Sequence, residues 1–134
     1  MDEATTLGPV ASERAVVKLV KQVDQAVASG AKVVLGGKRI ERPGAFMEAT
    51  ILTNIKPGNL AYREEFFGPV ALMFQVKDED EAVVLANDSD FGLRASIFTR
   101  DAARGQRLAS RIDTGMVFIN QPIWTARRNC LSAA

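Results

Sequence analysis

The chain has no histidine and only one cysteine, one tryptophan and one tyrosine in 134 residues. Without imidazole it lacks the usual metal ligand and the usual general base, so hydrolytic triads and zinc chemistry are poorly supported. A lone cysteine, Cys130, excludes an internal disulfide. Charge of one sign is also missing: 17 basic and 16 acidic residues are interspersed, for a formal net charge of +1. No basic stripe is left to meet a phosphate backbone or an anionic lipid surface, so neither nucleic acid nor membrane is an expected partner. No apolar run approaches the roughly 20 residues that span a bilayer, and the N-terminus has no charged-then-apolar signal pattern, so a cytoplasmic location is expected. At 47% hydrophobic and 25% charged residues the composition is ordinary for a globular domain, and the length suits one core.

Periodicity divides the chain into alternating elements. Val16, Leu19, Val20, Val23 and Val27 recur at helical spacing, with Ser12 as N-cap and Ser29-Gly30 as the stop. Ala31 to Leu35 is short and β-branched and reads as a strand, which Gly36-Gly37 turns; Glu48 to Leu52 reads as another. Lys56-Pro57-Gly58-Asn59 signals a turn, and Val70 to Val76 is a continuous apolar stretch of the kind found in buried strands. Asp78 followed by Glu81 predicts a capped helix start, continued by Ala82, Val83, Leu85 and Ala86 to Asn87. Ala95 to Phe98 predicts a strand, Asp101 to Ile112 a helix, and Met116 to Asn120 a further buried strand. This alternation predicts an α/β fold with a mainly parallel sheet joined by right-handed crossovers. No repeat, low-complexity segment or linker interrupts it.

The segment with most chemistry is Glu64-Glu65-Phe66-Phe67-Gly68-Pro69-Val70, where two carboxylates and two aromatics precede a stiff Gly-Pro joint. Pro69 restricts Gly68 and favours an extended entry into the next strand, which places Glu65 at a strand's mouth. A carboxylate there can accept hydrogen bonds from both hydroxyls of a ribose, and a neighbouring aromatic can pack on a nicotinamide face. The residues alone equally allow two solvated glutamates and two core phenylalanines. Asn120 is likewise open: after a parallel strand it suits a substrate-pocket neighbour, or a side chain that satisfies turn backbone.

With Asn87-Asp88-Ser89-Asp90-Phe91-Gly92-Leu93 and Gly115-Met116-Val117-Phe118-Ile119-Asn120 downstream, the chain resembles the NAD(P)-dependent aldehyde dehydrogenase superfamily over residues 1–126. The resemblance implies part of that family's catalytic domain. It gives Glu65 the nicotinamide ribose and Phe67 the nicotinamide ring, with Glu64 and Phe66 as flanking scaffold. It implies NAD or NADP as cofactor of the parental enzyme, an aldehyde as its substrate, and no catalytic or metal-binding residue in this chain. Ala61-Tyr62-Arg63, Ala95-Ser96-Ile97-Phe98-Thr99 and Val117-Phe118-Ile119-Asn120 are similar to bacterial succinate-semialdehyde dehydrogenases.

In that family the cysteine nucleophile, the glutamate base and the Rossmann-like cofactor domain lie upstream of these motifs, so Met1 is expected to correspond to a mid-chain position. Cys130 lies after the glutamate motif, with no histidine to activate it, and is expected to be adventitious. Beyond Ala126 the family pattern would continue Pro-Glu-Leu-Pro-Phe-Gly-Gly. Written as CCG GAA CTG CCT TTC GGC GGC and read one base later, that heptapeptide becomes Arg-Asn-Cys-Leu-Ser-Ala-Ala, which is Arg128 to Ala134. Residues 127–134 are therefore expected to be a frameshifted tail outside the family.

Two functions follow. One is a portion of an aldehyde dehydrogenase that neither turns over nor holds the cofactor on its own. The other is a non-catalytic protein that self-associates or pairs with a separately encoded enzyme half or an intact homologue, because an opened sheet presents edges and apolar faces that need cover.

Overall fold

The computed structural model describes residues 7–122, so the tail and the first six residues, with the expectations attached to them, lie outside it. The chain forms two compact units, one ending at Gln75 and the other beginning at Val76.

The first unit is built on helix α1, Glu13–Ala28. Ser12 caps it, its Oγ accepting from the Ala15 amide at 3.2 Å, and Gly30 ends it with a φ of 104° that an L side chain resists. Val16, Leu19, Gln22, Val23 and Ala26 form the buried face. Val27, expected on that face, is exposed instead, because a period of 3.6 residues carries the stripe from Val23 to Ala26. Strands β1 (Lys32–Leu35), β2 (Thr50–Thr53) and β3 (Val70–Leu72) form one sheet in that order. β1 pairs with β2 antiparallel and β2 with β3 parallel. Leu52 of β2 is fully buried and joins Val16, Leu19, Val23, Ala26, Met47 and Ile55 in the core.

Buried Asn59 ties the helix to the segment that leads toward the glutamates. Its Nδ2 donates to the Ala26 carbonyl at the end of α1, and its Oδ1 accepts from the Ala61 amide, both at 2.9 Å. That second bond starts a short 3-10 turn, Leu60–Tyr62.

β3 is shorter and more open than its sequence predicts. The Met73 amide bonds β2 at the Leu52 carbonyl, and β2 ends at Thr53, just before Asn54, whose φ of 58° turns the chain away. Met73 and Phe74 are left substantially exposed, since among the described residues β3 pairs with β2 alone.

The second unit contains α2 (Glu79–Asn87), β4 (Ala95–Ile97), α3 (Ala102–Ala109) and β5 (Val117–Ile119). Asp78 caps α2 by accepting from the Glu81 amide at 2.8 Å, while the Glu81 carboxylate reaches back to the Lys77 amide at 2.7 Å. β4 and β5 pair in parallel, and α3 is the crossover between them. Buried Gly105 lets α3 close on the sheet, since a Cβ there would stand 3.0 Å from Thr99 Cγ2 and 3.1 Å from Ile119 Cγ2. Both strands are half-buried rather than buried, as expected of a two-stranded sheet with no inner strand. Arg104 pairs with Glu79 and Arg111 with Asp80 on the surface of this unit. The α/β class and parallel pairing follow the sequence, with β1 the antiparallel exception.

Candidate functional site

The segment 64–68 is an arch over α1. The Gly68 amide donates to the Phe66 carbonyl and the Val70 amide to the Gly68 carbonyl, each at 2.8 Å. These are successive three-residue turns centred on Phe67 and Pro69, a geometry common where a loop enters a strand. The first turn sends the two rings to different places. Phe66 packs against the core, whereas Phe67 is 80% exposed. Gly68 meets α1 closely: a Cβ there would lie 2.3 Å from Leu19 Cδ1.

Gln22 of α1 holds the other end of the arch. Its Nε2 donates to Glu64 Oε2 at 2.9 Å and to the Glu65 carbonyl at 3.3 Å. Glu65 thus has its main chain tied to the helix and its side chain exposed. Between arch and helix lies an open cleft of about 500 Å³ lined by Lys18, Lys21, Gln22, Gln25, Glu64, Glu65 and Phe67. The four helix residues line one wall because positions three and four apart share a face. On its other side Phe67 borders an apolar groove of about 430 Å³, shared with Leu7, Pro9, Val10, Phe66 and Pro69.

This arrangement offers hydroxyl-accepting carboxylates, an exposed aromatic face and two ammonium groups to one ligand. The structure thus brings Glu65 and Phe67 together in the first unit, before β3. Of the two readings open to the phenylalanines, Phe66 takes the core position and Phe67 does not.

Asn120 lies in the second unit, just after β5, with a φ of 54°. Its Oδ1 accepts from the Thr99 amide and its own amide donates to the Ile97 carbonyl, both at 2.8 Å, so it closes the backbone at the ends of β4 and β5. Lys18, Lys21 and Gln22 line this cleft and were passed over in the sequence pattern. The signal for Gln22 was available: it interrupts the apolar stripe between Leu19 and Val23, where a polar side chain needs a partner. Among the described residues no group of three or more potential metal ligands occurs, and no helix is long and apolar enough to cross a membrane.

Comparison with known proteins identifies the family. The profile described as "Aldehyde dehydrogenase family" matches residues 1–131. The succinate-semialdehyde dehydrogenase [NADP(+)] of Deinococcus radiodurans is 53% identical over 125 residues, which cover 93% of this chain and 26% of that protein. The succinate semialdehyde dehydrogenase [NAD(P)+] Sad of Escherichia coli is 44% identical, over 89% of this chain and 26% of its own length. Among solved structures, the succinic semialdehyde dehydrogenase of Streptococcus pyogenes, crystallised with NADP+ as the cofactor, superimposes with a TM-score of 0.86. It has 40% identity and covers 90% of this chain and 27% of its own. The chain spans about a quarter of the length of these relatives. An α/β chain matched over nearly its whole length by this profile belongs to the aldehyde dehydrogenase family.

Proposed function

We propose that this chain is the cofactor-orienting portion of an NAD(P)-dependent aldehyde dehydrogenase, the parental reaction being oxidation of succinate semialdehyde to succinate. The observation that carries the reading is the arch, which exposes Glu65 and Phe67 side by side on a cleft with two lysines. The Glu65 carboxylate accepts the ribose hydroxyls, the Phe67 ring lies against the nicotinamide, and Lys18 and Lys21 offer charge to a phosphate. When bound, the nicotinamide supplies the hydride acceptor. The work of this chain is to fix that ring's place relative to the aldehyde, since near-attack placement contributes much of a catalysed rate. Similarity to the Deinococcus radiodurans and Escherichia coli enzymes supports the choice of substrate. The family's thiol and glutamate base are not among the residues of these motifs, so the role proposed for this portion within a whole enzyme is to orient the cofactor.

The test is a chimera in which this chain replaces the matching quarter of the Deinococcus radiodurans relative. NADP+-dependent oxidation of succinate semialdehyde by the chimera, with none by the 134-residue chain alone, is the expected result. A folded chimera without activity, or turnover by the chain alone that is lost on Cys130→Ser, contradicts the reading.

The apolar groove beside Phe67 favours a second reading, in which the chain is a non-catalytic partner of an enzyme part that covers this groove. Size-exclusion chromatography with and without the upstream portion of the relative separates the two, because a stable complex without dehydrogenase activity supports only the second.

A further inference from the structure

We infer that Gln22 is a positioning residue for Glu65, an inference that rests on the assignment of Glu65 and Phe67 to the nicotinamide ribose. Gln22 is 8% exposed and sits in the apolar stripe of α1. Both groups that it meets in the arch, Glu64 Oε2 and the Glu65 carbonyl, are acceptors, so the amide nitrogen must face them. The flipped amide would set oxygen against oxygen. Gln22 Oε1 is then buried with no hydrogen-bond partner among the described residues.

An orphaned buried oxygen is unfavourable, and a methionine of similar length would fill the same stripe without one. Core stability alone therefore does not account for glutamine here. What the amide adds is a two-pronged link from a regular helix to consecutive residues of the arch. One prong holds the Glu64 side chain and the other the Glu65 main chain, which sets the point from which the Glu65 carboxylate reaches into the cleft. Glu64 is a tether in this account, and its neighbour is the residue that meets the ligand.

The test is made on the full 134-residue chain without ligand, using Gln22→Met and Gln22→Glu. The first removes the donor and keeps the length; the second sets a carboxylate against Glu64 and keeps a polar group. Backbone order parameters of the Glu65 and Phe67 amides should fall from the rigid range of about 0.85 toward about 0.6 or below in both variants. Amides of α1 should stay rigid, and the Gln22→Met melting temperature should equal or exceed that of the original chain. Unchanged order in the arch overturns the inference. So does loss of order throughout α1 together with a lower melting temperature in both variants, which makes Gln22 an ordinary core residue. Because no ligand is present, these outcomes are independent of whether the cleft binds a nicotinamide nucleotide.

Discussion

Gly68→Ala tests how the arch is seated. Gly68 is not among the glycines with positive φ, so backbone conformation does not require glycine there and the argument is steric. The new Cβ would stand 2.3 Å from Leu19 Cδ1, 3.1 Å from Cδ2 and 3.3 Å from Cγ. Ordinary contact begins at 3.4 Å, so the arch or the leucine must move by about 1 Å. Leu19 is 2% exposed and walled in by the core, which leaves lifting of the arch as the easier response. Overpacking of this kind costs about 1 to 3 kcal/mol, and about 2 kcal/mol lowers the melting temperature of a small domain by on the order of 10 °C. Urea titration of the chain, combined with Leu19→Ala in a double-mutant cycle, measures it. Removing the Leu19 branch vacates the space that the new methyl needs, so the two changes should couple by about 1 kcal/mol or more. In the chimera, a displacement of about 1 Å at Phe67 should also slow turnover, by up to about 100-fold. Stability equal to the original chain, with no coupling to Leu19→Ala, would refute the steric argument.

Asn59→Leu should destabilise the first unit by about 1 to 3 kcal/mol, because it removes two buried bonds and takes the side-chain acceptor from the Ala61 amide, while the Ala26 carbonyl keeps the Ser29 and Ala31 amides; denaturant unfolding reads the loss. In the second unit, the hydrogen bond from Arg104 holds the Glu79 carboxyl below its ordinary value of 4.5. A depressed carboxyl adds stability that is present above 4.5 and lost as pH falls through the folded-state value. The melting curves of the original chain and Arg104→Gln should therefore differ slightly at neutral pH and converge in acid; a gap that widens on acidification contradicts this.

The helices were the most legible part of the fold. Ser12, Asp78 and the apolar spacing of α1 act locally, so sequence neighbours suffice to read them. The extent of β3 was not legible, because its end depends on Asn54 turning the partner strand away, an event 18 or more positions earlier in the chain. In the candidate site, Glu65 and Phe67 were singled out through their motif, and the structure places both on one cleft. Gln22 was not read as part of it, since its link to Glu64 spans 42 residues and joins a helix to a loop. Asn120 was left between two roles in the sequence; the structure shows its bond to the Thr99 amide, a long-range contact that sequence neighbours do not announce.

The most direct test of the account is the dissociation constant of NADP+ for the chimera carrying Glu65→Gln, set against the chimera without it. Glutamine keeps the shape and removes the charge, so bonds to the ribose hydroxyls should weaken by about 1 to 3 kcal/mol, which is roughly 5- to 150-fold in affinity. Hydride transfer should slow as well, because the ring is less well held. Unchanged cofactor affinity together with an unchanged hydride-transfer rate would contradict the assignment and leave Glu65 a solvated surface carboxylate.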